Sequence, residues 1–101
     1  DEDQVITDCI ANIRHVSSKY DCDVMIVETG FYVDENDPAR LEKGRSQLAR
    51  VIRESISNTG GRCKGVFYWE PECKPSQYQL GAFKEDGSPT VIMDAFSDWS
   101  E

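Results

Sequence analysis

The sequence predicts an α/β domain in which three helices alternate with two parallel strands. Apolar residues recur at helical spacing in three segments, and two short, continuously apolar runs lie between them. Two strands joined by one helix form a right-handed unit, so the strands are expected to be parallel neighbours. At 101 residues the chain has the length of one small domain, residues 1–101. A complete (β/α)8 barrel is excluded, because it needs about 200 residues or more.

The composition narrows the classes of partner. The chain has 11 Lys and Arg against 19 Asp and Glu, a formal net charge of −8, and no basic stripe. We therefore expect no nucleic-acid partner and no binding to an anionic membrane. No apolar run approaches the roughly 20 residues of a spanning helix, so no membrane span is expected. The first residue is Asp1 and not Met, from which we expect that an upstream segment was removed.

The first half of the chain reads as helix, strand and loop. A helix is predicted over residues 3–20, where the apolar side chains fall on one face. The run Val24–Val27 is predicted as a strand, since continuous apolar runs of this length are typical of parallel sheets that are buried on both faces. Residues 31–37 are predicted as a loop.

The second half repeats this alternation. The pair Asp37-Pro38 predicts a helix start, since Asp is a good N-cap and proline suits the first helical position, and this helix is predicted to end near Asn58. Lys64–Trp69 is rich in β-branched and aromatic residues and is predicted as the second strand. The pair Ser88-Pro89 repeats the cap-plus-proline pattern and predicts the start of a last helix.

A carboxylate follows each predicted strand: Glu28 comes after Val27, and Glu70 comes after Trp69. In parallel α/β folds, sites form at the carboxyl ends of the strands. Two carboxylates there suggest the general acid and nucleophile of a glycosidase, whereas the alternative is a pair of solvated strand-end residues. Because side chains alternate between the faces of a strand, only one of Trp69 and Glu70 fits the inner face of a regular strand.

Trp69 is a candidate sugar platform. Its ring offers a flat apolar surface with a polar N–H at the edge, on which the C–H faces of a sugar stack. Core packing is an equally weighted alternative, because tryptophan is often largely buried.

Three segments of the chain together resemble a known enzyme family. They are D-V-M-I-V-E-T-G-F-Y (Asp23–Tyr32), G-V-F-Y-W-E-P (Gly65–Pro71) and a C-terminal stretch with Gly81–Phe83, Gly87 and Asp94–Phe96. In order and spacing they are similar to strand seven, strand eight and the C-terminal segment of glycoside hydrolase family 53, the arabinogalactan endo-β-1,4-galactanases. The resemblance covers most of residues 23–96.

The resemblance implies that the chain is the C-terminal portion of a (β/α)8 TIM barrel, its last quarter, without strands one to six. It implies a retaining hydrolase of galactan and arabinogalactan in which Glu28 is the nucleophile. The family's general acid/base is a Glu that follows Asn, and no Asn-Glu pair occurs in the sequence. Because double displacement needs two carboxylates about 5–5.5 Å apart, the chain alone is expected to be inactive.

The resemblance also implies the surroundings of the nucleophile. Trp69 is expected under the sugar at the cleavage site, with Glu70, Phe31 and Tyr32 as further substrate-binding residues, and the peptide after Trp69 is often cis in related barrels. The β-1,4-galactan polymer is too large to enter cells, so a secreted, periplasmic or cell-surface location is expected. Two alternatives stay open: a small α/β carbohydrate-binding or interaction module without catalysis, and a hydrolase that uses Glu28 with Glu70.

Neither a cofactor nor a structural zinc site is expected. Some bacterial members of the family bind calcium between the loops after strands seven and eight, and Asp34, Asn36 and Asp37 offer oxygen ligands here. We favour a plain acidic loop with a helix cap, because no spaced ligand set is visible. The four cysteines form no CxxC pair and His15 is the only histidine, so zinc has weak support.

Cys22 and Cys63 each precede a predicted strand, so they are predicted as the one pair that is able to form a disulfide. Two reduced, buried thiols are the alternative.

The predicted strand pair leaves one face without a partner. Alternation places Val24, Ile26 and Glu28 on the inner face of the first strand, and Phe67 and Trp69 on that of the second. A bare two-stranded sheet is marginal and its open edges recruit other chains. We therefore expect either self-association or the remainder of a barrel to cover this face.

Overall fold

The computed structural model describes residues 1–101 as three helical segments packed on a two-stranded parallel sheet. The elements in chain order are α1 (Glu2–Lys19), β1 (Val24–Ile26), α2 (Pro38–Ser57), β2 (Cys63–Val66) and a 3₁₀ turn (Val91–Asp94) that leads into α3 (Ala95–Asp98). The predicted α/β class and the parallel pairing of the two strands are confirmed. None of the helices combines the length and the apolar character that crossing a membrane requires.

Helix α1 forms where the sequence predicts it because both of its determinants are local. The Asp1 side chain caps the helix by accepting the backbone N–H of Gln4 at 2.8 Å, and Glu2 and Asp3 place negative charge at the positive end of the helix dipole. The apolar stripe is buried at Ile6, Ile10 and Ile13.

Helix α2 is the centre of the molecule, since it contacts α1, β2, the 3₁₀ turn and α3. It begins as predicted: Asp37 accepts the N–H of Arg40 at 3.2 Å, and Pro38 takes the first helical position. Gly44 lets the 3₁₀ turn approach closely, because a Cβ there would lie 2.9 Å from Cδ1 of the fully buried Ile92.

The strand pair is shorter and less regular than predicted. Val24 pairs with Cys63 and Ile26 pairs with Val66, so two steps along β1 match three along β2, which is a bulge. Strand β2 begins at Cys63 and ends at Val66, before the predicted end at Trp69. Single backbone bonds continue the contact beyond it, from the N–H of Phe67 to the Ile26 carbonyl at 2.8 Å and from the N–H of Trp69 to the Thr29 carbonyl at 2.9 Å.

The free face of the sheet differs from the predicted one in β1. Val24 and Ile26 pack against the helical core, so their predicted place on the face without a partner is wrong. The face that is free of helices carries Met25 (46% exposed), Val27 (64%), Phe67 (55%) and Trp69 (47%). In β1 the side chains of Val24 and Ile26 face the helices, and the helices therefore partly bury them.

The last helix begins later than predicted. Ser88 does not cap it, since its hydroxyl bonds the Asp86 carboxylate in a tight turn. Thr90 instead caps the 3₁₀ turn that precedes α3: its hydroxyl oxygen accepts the N–H of Ile92 at 3.3 Å and its O–H donates to the Ala82 carbonyl at 2.7 Å. The bond from Thr90 to Ala82 joins residues eight positions apart, so the local cap-plus-proline pattern does not predict it.

The predicted Cys22–Cys63 disulfide is wrong, because all four cysteines are free. The register places Cys63 opposite Val24, two residues beyond Cys22. That offset corresponds to roughly 8 Å between the two Cα atoms, more than a disulfide spans. The thiol near Cys63 is that of Cys9 on α1, and burial, together with this neighbour, raises the pKa of Cys9.

The free apolar face predicts that the isolated chain associates through it. We expect light scattering at micromolar concentration to give a mass above one chain, and Phe67→Lys to lower that mass because a charge then lies on the interface. Val91→Lys is the control, since Val91 is also exposed but lies in the 3₁₀ turn. A wild-type chain that is a cooperatively unfolding monomer would contradict this prediction.

Candidate functional site

The carboxyl ends of both strands meet at one edge of the sheet. The bond from the Trp69 N–H to the Thr29 carbonyl joins the segments that follow β1 and β2. Glu28 immediately precedes Thr29, so the candidate nucleophile and the candidate sugar platform lie on neighbouring strand ends. This is the edge at which parallel α/β folds place their sites.

Glu28 lines a cavity of about 340 Å³ that opens between α1 and the segment after β1. The wall is mostly apolar and includes Val5, Ile6, Cys9, Ile26, Phe31 and Leu80. Its two carboxylates are Glu28 and Glu2. Because the wall includes α1, Glu28 lies on the helical side of β1 and not on the free inner face predicted for it.

The two carboxylates of the cavity differ in their partners. Glu28 is exposed and takes part in none of the ion pairs of the chain. Glu2 accepts from both terminal nitrogens of Arg40, each at 3.0 Å, and from Nε2 of Gln47 at 2.9 Å. The hydrogen bonds from Gln47 and Arg40 hold the pKa of Glu2 below its usual value. Glu28 is therefore the carboxylate with free lone pairs for a ligand or for attack on an electrophile.

Tyr32 and Phe31 take different places at the cavity. Tyr32 is half-exposed and lines the cavity, as a substrate-binding residue should. Phe31 is only 7% exposed and belongs to the hydrophobic core. Its ring packs at 6.3 Å from the ring of Tyr68, so Phe31 contributes to the wall as a largely buried support and not as an exposed sugar surface.

Trp69 and Glu70 lie outside this cavity. The Trp69 ring is half-exposed on the free face of the sheet, so it does not pack into the core of this chain. Glu70 has a positive φ of 47°, so the chain turns there and leaves the strand pleat. Every peptide bond is trans, so the cis bond expected after Trp69 is wrong and the turn is made at Glu70 instead. The Glu70 carboxylate accepts from the Cys73 thiol at 3.3 Å, and this bond raises the pKa of Cys73.

The structure therefore brings Glu28 and Tyr32 to one cavity and leaves Trp69 and Glu70 beside it. It does not bring the Glu70 carboxylate into the wall that Glu28 lines. A hydrolase that uses Glu28 with Glu70 consequently gains no support from this geometry.

The acidic loop before α2 has the form of a helix cap. Asp34 accepts the N–H of Asn36 at 3.0 Å, and Asp37 caps α2 through Arg40. No group of three His, Cys, Asp or Glu side chains is gathered in a geometry that would hold a metal ion.

Tyr68 is the residue of this region that sequence reasoning missed. Its hydroxyl lies 2.8 Å from the carbonyls of both Leu80 and Gly81, to which it donates, and it accepts the N–H of Phe31 at 3.2 Å. Alternation along the strand was the available signal, because Tyr68 lies between two residues of the free face and must point toward the helices. Burial raises the pKa of Tyr68 to about 12.

Arg40 was also missed, and no sequence signal pointed to it. Its partner Glu2 is 38 residues away on a different helix. The guanidinium also lies over the Tyr32 ring, 5.7 Å from the ring centroid.

The fold and the site define a small α/β protein with an unpaired carboxylate in a cavity at the carboxyl edge of two parallel strands. Comparison of the chain with protein-family models, with curated proteins and with solved structures gave no match. The function is therefore inferred from the motifs and from the geometry of the site.

Tyr68→Phe is expected to loosen the loops around the cavity. The Phe31 N–H then loses its partner, so we expect the free energy of unfolding in urea to fall by about 1–3 kcal/mol. Tyr20→Phe is the control, because the exposed Tyr20 has no comparable bonds.

Tyr68 also makes the free energy of unfolding depend on pH. The pKa of Tyr68 rises from about 10 in the unfolded chain to about 12 in the folded one. Its contribution to stability is thus complete below pH 10 and is lost as the pH rises toward 12. Absorbance titration should show one of the four tyrosines ionising last, and Tyr68→Phe should remove that step. Simultaneous ionisation of all four in the folded protein would contradict this.

Proposed function

We propose that the chain is the C-terminal part of the (β/α)8 barrel of a retaining endo-β-1,4-galactanase related to glycoside hydrolase family 53. The observation that carries the proposal is the position of Glu28. It is a carboxylate without an ion-pair partner, it lies two residues after the end of β1, and it lines a largely apolar cavity beside the strand end that bears Trp69. The first two segments that resemble the family meet at this edge, and the Tyr68 hydroxyl ties Gly81 of the third segment to it.

The layering of the chain supports the barrel part of the proposal, whereas Glu28 lies on the helical side of β1 and would have to turn toward the free face that a barrel encloses. The chain has helices on one face of a parallel strand pair and an apolar free face opposite, carrying Phe67 and Trp69 among others. A wall segment of a barrel has this arrangement, because its outer face is covered by helices and its inner face by the side chains of other strands.

In the proposed reaction Glu28 attacks the anomeric carbon of a β-galactosyl unit and forms a covalent glycosyl ester. The glycosidic oxygen leaves with a proton from a second carboxylic acid, and water then hydrolyses the ester with retention of configuration. The chain supplies the nucleophile and not this acid. Trp69 stacks on a sugar, and Tyr32 and the exposed Glu70 contact its hydroxyl groups. The polymeric substrate places the enzyme outside the cell or at its surface.

A carbohydrate-binding module without catalysis is the second candidate. It is favoured by one observation: Phe67 and Trp69, two half-exposed aromatic rings, lie on the same free face of the sheet and outside the Glu28 cavity. Exposed aromatic rings bind sugars without any nucleophile. The two experiments below separate the two functions.

Covalent trapping tests the nucleophile even though the acid is missing. A 2-deoxy-2-fluoro-β-galactobioside with a dinitrophenolate leaving group needs no proton donor, since the leaving group departs as a stable anion. Glu28 then forms the ester as the bond to dinitrophenolate breaks. We expect mass spectrometry to show one added disaccharide, mapped to Glu28.

Glu28→Gln should take no label, and Glu70→Gln should be labelled as the wild type is. Labelling at Glu70, or no labelling of the folded protein, would reject Glu28 as the nucleophile. In a longer protein that supplies the acid, Glu28→Gln should lower kcat more than tenfold, a barrier increase above ~1.4 kcal/mol, and leave substrate binding intact.

Trp69 is expected to report on sugar binding by fluorescence. The chain has two tryptophans, so β-1,4-galactotetraose should change the emission of wild type and of Trp99→Phe, but not that of Trp69→Phe. Binding without covalent trapping would favour the module over the enzyme. An equal response to β-1,4-glucotetraose would contradict the assignment of galactan as substrate.

A further inference from the structure

Arg40 joins three segments at the cavity that Glu28 lines. Its side chain is only 14% exposed. The two terminal nitrogens donate to the Glu2 carboxylate at the start of α1, each at 3.0 Å. Its Nε donates to the backbone carbonyl of Tyr32 at 3.0 Å.

Both partners of Arg40 are part of the cavity wall. Glu2 and Tyr32 line the cavity together with Glu28, whereas Arg40 does not line it. The guanidinium is therefore behind the wall and fixes two of its members at once. Gln47 donates to Glu2 from the same helix, so the Glu2 carboxylate is held from two positions on α2.

The contacts of Arg40 need the shape of a guanidinium. The two terminal nitrogens of Arg40 form the bidentate pair, and its Nε forms a third bond. The planar guanidinium also lies over the Tyr32 ring. A lysine in this place keeps the charge but has neither the fork nor the Nε donor. The pair also neutralises Glu2, which leaves Glu28 as the cavity's one carboxylate without a cationic partner.

We propose that Arg40 is a positioning residue for carbohydrate binding: by holding Glu2 and the Tyr32 backbone, it fixes the orientation of the Tyr32 ring in the wall of the Glu28 cavity. The effect on sugar binding rests on the proposed function. The ordering of Tyr32 by Arg40 does not, and it is measured without any sugar.

The test compares Arg40→Lys with Arg45→Lys. Arg45 is the matched control because it lies on the same helix and forms ion pairs with Glu42 and Asp98, none of which lines the cavity. NMR spectra should show shifted Tyr32 ring resonances in Arg40→Lys and unchanged ones in Arg45→Lys. Unchanged Tyr32 resonances in Arg40→Lys would overturn the proposal.

The trapping reaction supplies the second measurement. In Arg40→Lys we expect the fluorosugar concentration for half-maximal labelling of Glu28 to rise about tenfold, with the maximal rate within about twofold, since Arg40 does not touch the reacting atoms. A merely structural loss would instead lower the labelled fraction and leave the half-maximal concentration unchanged, and that result would overturn the proposed role in binding.

Glu2→Gln is the second variant, and it tests the same contact if Arg40→Lys does not fold. It weakens the Arg40–Glu2 ion pair by removing the negative charge of Glu2. We expect a smaller shift of the same Tyr32 resonances, and unchanged resonances would contradict the proposal. If the wild type neither binds galactotetraose nor takes the label, the proposed function fails. The Tyr32 resonances then still decide whether Arg40 orders the wall.

Discussion

The Tyr68 hydroxyl is the interaction on which the carboxyl edge of the sheet depends. It ties the loop after β1 to the segment at Leu80 and Gly81 through one accepted and one shared donated bond. These segments have no regular secondary structure of their own, and the strands end before them. Without this hydroxyl, the backbone on either side of Glu28 and Trp69 would be held only by a few single bonds. The Tyr68 hydroxyl thus supplies hydrogen bonds at an edge where the short sheet supplies few.

Helix α2 provides the second constraint, since every other helical segment and β2 pack on it. Its buried face holds the core through Leu48, Val51 and Ile52, while Gly44 admits the 3₁₀ turn. Two arginines on its charged face hold neighbouring elements: Arg40 holds the cavity wall, and Arg45 holds α3 through Asp98. The same helix thus carries the core and the orientation of the site.

The distribution of charge at the edge follows from these contacts. Of the two carboxylates in the cavity, Glu2 is held by Arg40 and Gln47, and Glu28 has no cationic partner. Glu28 is exposed to solvent, so its charge is hydrated and needs no partner for stability. It is thus free to take the proposed role of nucleophile, and the exposed aromatic rings on the adjacent face agree with a carbohydrate ligand.

Local chemistry in the sequence determined helices α1 and α2 and the parallel pairing. The capping bonds of Asp1 and Asp37 reach only three residues, and a strand–helix–strand unit leaves little choice of direction. Glu28 and Trp69 were located by the same strand-end rule. The tertiary structure alone decided the rest: the bulge in β2 between the Val24–Cys63 and Ile26–Val66 pairs, the Thr90 cap whose hydroxyl donates to the Ala82 carbonyl, and the faces that Val24 and Ile26 take. It also decided the Arg40–Glu2 pair, because bonds between residues far apart in the chain depend on how the elements pack and leave no periodic trace in the sequence.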